Sequence, residues 1–172
     1  KTVTINTVNF DKQNASTLLD GEADFAYIGI GDVISNSGPE GVDLVAIAKT
    51  LHKDPQMIMW DPTQHDISVT TDIGAKVRHF PNAAYIDYMI GAGIMTADQD
   101  DPNYDGSDAE WVAQGGDFFQ QGFASNETYK YANEIDWKDG APAEVDYFTV
   151  GELGYDNYPA AIRESTVSVK SY

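Results

Sequence analysis

The stretch Asn14-Ala15-Ser16-Thr17-Leu18-Leu19-Asp20-Gly21-Glu22-Ala23-Asp24-Phe25-Ala26-Tyr27-Ile28-Gly29-Ile30 decides the fold class. Asn14 to Asp20 reads as a short helix. Gly21 stands where a glycine in the left-handed conformation closes a helix C-terminus. Phe25 to Ile30 then reads as a strand, and Val3 to Phe10 upstream as another. Val42 to Leu51 gives a third strand, after the turn residues Ser37, Gly38 and Pro39, and Gln56 to Trp60 a fourth. Strand, helix and strand at this spacing predict a mainly parallel sheet with helical crossovers, which is the α/β class.

The rhythm breaks at Asp61 to Asp72, a polar segment without sustained periodicity and with the composition of a hinge. It restarts with a strand over Ala75 to Phe80 and a helix opened by Pro81 and running to Gly91, with Ala84, Tyr85, Tyr88 and Met89 on one face. A helix over Asp108 to Gln114, a strand over Phe118 to Phe123, a helix over Asn126 to Ile135 and a strand over Val145 to Val150 follow. The domain reading is therefore residues 1–60 as part of lobe one, 61–72 as hinge, 73–150 as lobe two, and 151–172 as a segment returning toward lobe one. No repeat of fixed period is present, which argues against a solenoid.

Composition narrows the function classes. Hydrophobic residues make up 42 % of the 172, enough for a packed core. No apolar run approaches the ~18–20 residues of a membrane span, so the chain is expected not to span a membrane. Cysteine is absent, which excludes disulfides, thiolate nucleophiles and sulfur-ligated metals. Ten Lys and Arg stand against 28 Asp and Glu, a net charge of -18 that repels nucleic acid. His52, His65 and His79 show no zinc-ligand spacing, and neither a phosphate-binding loop nor a G-x-S-x-G elbow occurs. No cofactor is expected.

Two runs carry a resemblance. Gly21 to Gly29, with Ala23-Asp24-Phe25-Ala26-Tyr27 at its centre, is similar to the helix-to-strand junction of the substrate-binding proteins of ABC importers. Gln120-Gln121-Gly122-Phe123-Ala124-Ser125-Asn126-Glu127-Thr128-Tyr129 resembles the Q-G-F-x-x-x-E-P-Y signature of the NMT1/THI5-like group, the branch with nitrate-, sulfonate- and pyrimidine-precursor-binding members; Thr128 stands where relatives have proline. Tyr155 to Pro159 resembles the following G-x-x-x-Y-P element. The resemblance implies a periplasmic-binding-protein-like fold of two α/β lobes closing over a small solute, incomplete at both ends relative to the group. It implies an ABC permease as partner, an extracytoplasmic location and no enzymatic activity.

Three places meet the need of such a receptor for a polar cleft lined by strand ends and helix N-termini. At Tyr27, Ile28 and Gly29, continuing to Gly31, glycines permit close backbone approach to an anion or simply turn the chain. Asn82 and Ala83 open the helix after Pro81, either touching a ligand or capping the helix. Asn126 and Glu127 follow the strand of the second run, where Glu127 either receives an amine, amidine or protonated ring nitrogen or complements the helix dipole. Phe10, Tyr27, Trp60, Phe80, Tyr104 and Trp111 offer stacking faces or belong to the core. The acidic surface favours a heterocyclic amine over a bare anion, although small organic anions remain within the class.

Two further readings come from other classes. Asp101, Asn103 and Asp105 match the first half of a calcium loop turning at Gly106, but Val112 stands where a bidentate carboxylate belongs; the alternatives are an irregular calcium site in a structural or adhesive domain, or a solvated acidic turn. A THI5-like pyrimidine-synthesising enzyme uses a cysteine-rich iron motif, and this chain has no cysteine.

Overall fold

The computed structural model describes residues 2–6, 14–29, 44–49, 51–137, 141–142, 144–156 and 161–165. Two compact units divide the chain, unit 1 from residues 1–53 with 157–172 and unit 2 from residues 54–156.

In unit 1, helix α1 (Asn14–Leu19) ends as its sequence dictates: Gly21 has φ 70°, and the Glu22 amide donates to the Thr17 carbonyl at 2.9 Å. Three strands follow, β1 (Phe25–Ile28), β2 (Leu44–Lys49) and, late in the chain, β10 (Ala161–Ser165). The sheet order is β1-β10-β2, with β10 antiparallel to both neighbours. Leu18, Ile28 and Leu44 form its small core. Residues 2–6 are exposed and form no strand, and the remainder of the expected Val3 to Phe10 strand lies outside the described residues. So do Phe10, Ile30 and Gly31.

Unit 2 holds a five-stranded sheet in the order β5-β4-β6-β3-β9. Its strands are β3 (Gln56–Trp60), β4 (Val77–Arg78), β5 (Asp100–Asp101), β6 (Phe119–Phe123) and β9 (Asp146–Thr149). β4 pairs parallel with β5 and β6, while β3 pairs antiparallel with β6 and β9. Four of the five strands thus share one direction, and only β3 is reversed. The sheets are mixed: the expected parallel pairing is confined to the neighbours of β4, because β3, the first strand of unit 2, lies reversed between β6 and β9. A short hairpin, β7 (Asp136–Trp137) with β8 (Ala141–Pro142), completes the described strands.

Helices α2 (Ala84–Gly91), α3 (Ala109–Ala113) and α4 (Glu127–Asn133) are the described helices of unit 2. β3 shows why a layer must lie on each side: Ile58 and Trp60 enter one apolar cluster and Met57 and Met59 another. The first cluster gathers Tyr85, Ile86 and Met89 from α2 with Val77 and Phe119. The second gathers Trp111 from α3, Tyr131 from α4 and Phe118. The buried stripe of α2 is Tyr85, Ile86 and Met89 rather than the expected set with Ala84 and Tyr88, both of which are exposed. Gly93, at φ 72°, ends the helix turn, and the Ile94 amide donates to Met89 O at 2.9 Å.

β3 belongs to the sheet of unit 2, not to lobe one as the sequence suggested. The polar segment 61–72, read as a hinge, likewise lies within unit 2. There the buried Asp61 organises a turn, its Oδ1 accepting from the Thr63 amide at 2.8 Å and the Thr63 hydroxyl at 2.7 Å. Among the described residues no helix is long and apolar enough to cross a membrane.

Candidate functional site

In unit 2 the carboxyl ends of the parallel strands converge on one edge. From β4 the chain passes through α2 to β5 on one side, then through α3 to β6 on the other, so the connections diverge between β4 and β6. Such a switch point leaves a crevice outside the strand ends, where open α/β sheets bind ligands. The loops there are Phe80 to Ala83 after β4, and Ala124 to Asn126 after β6. They hold Phe80, Asn82, Ala83 and Asn126, all singled out in the sequence, and Glu127 follows as the first residue of α4.

Asn82 is exposed in the left-handed region at φ 63°, a conformation asparagine tolerates better than most residues. It therefore lies one residue too early to cap α2; Ala83 takes the N-cap position, with no side-chain cap. Asn126 occupies the N-cap of α4 without capping it, and its Nδ2 instead donates to Glu127 Oε1 at 2.9 Å. Glu127 is only 6 % exposed, and its Oε2 accepts from the Phe123 amide at 2.6 Å. Both carboxylate oxygens thus brace the turn after β6, and Gly122 lets them do so: a Cβ there would lie 3.3 Å from Glu127 Cγ.

Gln121 ties the two loops together, a role the sequence did not reveal. Buried on β6, its Oε1 accepts from both the Phe80 amide and the Tyr85 hydroxyl, each at 2.9 Å. Phe80 packs against Tyr104 of the loop after β5, with ring centroids 4.7 Å apart. Burial and the neighbouring Asp108, Glu127 and Asp105 carboxylates push the Tyr104 hydroxyl far above its ordinary pKa, so it stays protonated beside three acids. Beneath Phe80, the buried His79 sets Nδ1 2.7 Å from the Phe80 carbonyl and Nε2 2.5 Å from Asp100 Oδ1, anchoring β4 to β5.

A pocket of about 250 Å³ opens on the β5 side of this edge. Asn103, Tyr104, Asp105 and Ser107 line it from the loop after β5, Ala109 and Glu110 from the start of α3, and Arg78 from β4. Arg78 Nε donates to Asp101 Oδ2 at 2.8 Å, Nη1 lies 2.5 Å from Glu110 Oε2, and the guanidinium stands 4.2 Å over the Phe118 ring. Burial opposes the charge on Arg78, but hydrogen bonds to Asp101 and Glu110 outweigh it and hold its pKa above the usual value. Burial alone raises the Asp101 carboxyl, yet the Arg78 and Asn103 hydrogen bonds and the Arg78 charge bring it below the usual range. An arginine within the expected strand Ala75 to Phe80, in a chain with ten Lys and Arg, was the available sequence signal for this pair.

The calcium candidates do not form a cage. Asp101 is committed to Arg78 on one oxygen and to Asn103 Nδ2, 2.5 Å away, on the other. Asp105 Oδ1 accepts from the Ser107 amide at 2.8 Å. Among the described residues no cluster of three or more histidine, aspartate or glutamate side chains is arranged to hold a metal ion.

Tyr27, Ile28 and Gly29 belong to unit 1. Ile28 points into the small core, so only its backbone is left to offer; Tyr27 is 54 % exposed on the other face of β1, and Gly29 follows the strand. The aromatic candidates divide likewise. Trp60 and Trp111 are core, Trp111 donating from Nε1 to Phe118 O at 2.7 Å, while Phe80 and Tyr104 line the strand-end edge.

No protein-family model matches the chain, and no curated protein matches it.

Proposed function

We propose that the chain is a solute-binding protein, the receptor component of an ABC importer working outside the cytoplasm, that captures a small heterocyclic amine or small organic anion without altering it. The observation that carries the binding part is the convergence of Phe80, Tyr104 and Gln121 with Glu127 at the switch point between β4 and β6, beside a polar pocket of small-molecule scale. A tilted aromatic pair, one ring of which carries a protonated hydroxyl, beside several carboxylates suits a planar or amine-bearing solute. Chain topology supports a two-lobed receptor. The chain crosses between the units twice, at 53/54 and 156/157, and in each sheet the reversed strand is the first described one after a crossing. The importer and location parts rest on the two resembling runs, Gly21 to Gly29 and Gln120 to Tyr129.

A thermal-shift screen of the full chain against heterocyclic amines, alkanesulfonates, nitrate and free amino acids tests the reading. A solute at a hundred times its dissociation constant adds about 2.7 kcal/mol, a rise of roughly 5–10 °C for a chain of this length. A shift with one solute, weakened in Tyr104→Ala, is the expected result. No shift across the panel overturns it.

A further inference from the structure

The Arg78 guanidinium holds its two carboxylates in unlike ways. On the Asp101 side the partners are fixed: Arg78 and Asp101 side chains are 14 % and 13 % exposed, Asn103 pins the second Asp101 oxygen, and the Phe118 ring lies beneath. On the other side Nη1 meets Glu110, whose side chain is 58 % exposed on the five-residue helix α3. An exposed ion pair contributes little to stability, so Glu110 is the exchangeable partner. Its other oxygen already accepts from Gln114 Nε2 at 2.8 Å, so a displaced Glu110 keeps a partner on its own helix. Arginine binds carboxylates with two parallel hydrogen bonds, which makes a carboxylate from solution the natural replacement. Elsewhere the pocket is rich in acceptors, with Asp105, the Ser107 hydroxyl and Tyr104 around the same 250 Å³ space. One wall therefore suits an anion and the other a cation.

We infer that this pocket takes a small zwitterion, an amino acid or a close analogue, with its carboxylate on Arg78 in place of Glu110 and its ammonium on the Asp105 and Tyr104 side. The inference rests on the reading of unit 2 as a solute-binding unit and joins the amine and anion preferences in one ligand. In it Arg78 is the specificity-determining residue and Glu110 a resident competitor.

Isothermal titration of the full chain at low salt tests it with three matched sets: free amino acids, the corresponding amines lacking the carboxylate, and the corresponding acids lacking the amine. The expected result is at least tenfold tighter binding of one zwitterion than of its amine or acid counterpart. Glu110→Gln is expected to tighten that binding several-fold, since it removes the competing charge from an exposed position, and Arg78→Lys to weaken it at least tenfold. Equal binding of amine and zwitterion, or a Glu110→Gln variant with unchanged affinity, overturns the zwitterion assignment while leaving solute binding in place. No binding by any of the three sets, or by the amines and sulfonates of the thermal screen, overturns both.

Discussion

Gly116 shows how tightly single positions are set in unit 2. It stands at φ 71°, and a Cβ there would lie 2.8 Å from Asp61 Cβ and 3.2 Å from the Trp137 ring. Gly116→Ala therefore combines a left-handed backbone with overpacking, and a loss of roughly 2–4 kcal/mol is expected in urea unfolding. An unchanged midpoint would contradict the close approach. The Arg78–Asp101 pair gives a pH prediction with a definite sign. The Asp101 pKa is lower in the folded than in the unfolded chain, so the pair stabilises above the unfolded carboxylate range and is lost as pH falls through the folded value. As pH falls below the ordinary aspartate range, the wild type is expected to lose more stability than Asp101→Asn, whose side chain does not titrate there. Parallel stability curves for the two proteins over that fall would contradict the assignment.

At the scale of elements, two side chains fasten secondary structure together. Gln121 on β6 supplies one acceptor to the loop after β4 and to α2. Replacing it with Met keeps the bulk but strands the Phe80 amide and the Tyr85 hydroxyl, for an expected cost of about 2–4 kcal/mol. Solute binding should weaken as well, because Phe80 is released; a stable variant with full affinity would contradict the brace. Trp111 is the corresponding anchor for α3, fully buried between Tyr131 and Trp137. Trp111→Ala is expected to cost roughly 3–5 kcal/mol, and Trp111→Phe less, since it keeps most of the packing while leaving the Phe118 carbonyl unpaired. Chemical denaturation of the two variants checks the order. Elements of this kind were legible wherever local signals agreed. The helix ending at Gly21, the strand Gln56 to Trp60, and the strand and helix on either side of Ala124 to Asn126 appear within a few residues of their expected limits. Two-residue strands were not legible, apart from β4, which lies within the expected strand Ala75 to Phe80. β5 is Asp100–Asp101, whose acidic side chains carry no apolar pattern, and it is a strand only because β4 pairs with it. Gln121 escaped for a related reason: a glutamine in a strand declares nothing until its neighbours across the sheet are known.

For the molecule as a whole, charge is the dominant feature. With 28 acidic residues against ten Lys and Arg, self-repulsion opposes the compact state. Salt shortens the reach of exposed charges to about 3 Å at 1 M. The melting temperature is therefore expected to rise by several degrees between 0.05 M and 1 M KCl; a fall would show that exposed ion pairs outweigh the repulsion. The mixed α/β class followed from alternating strands and helices, but the direction and partners of β3 did not, because they depend on where the chain crosses between units. The place of Glu127 at the start of α4, directly after β6, was legible, and its described contacts are to its own turn. The pocket beside it was hidden, since Arg78 and Glu110 lie 32 residues apart and only the sheet order unites them. The central claim is that a small solute binds at the strand-end edge of unit 2, and amide chemical-shift mapping on the full chain with the best solute of the thermal screen tests it most directly. The account predicts that the largest shifts cluster at residues 78–83, 103–110 and 121–127; saturable shifts that avoid these three segments would contradict it.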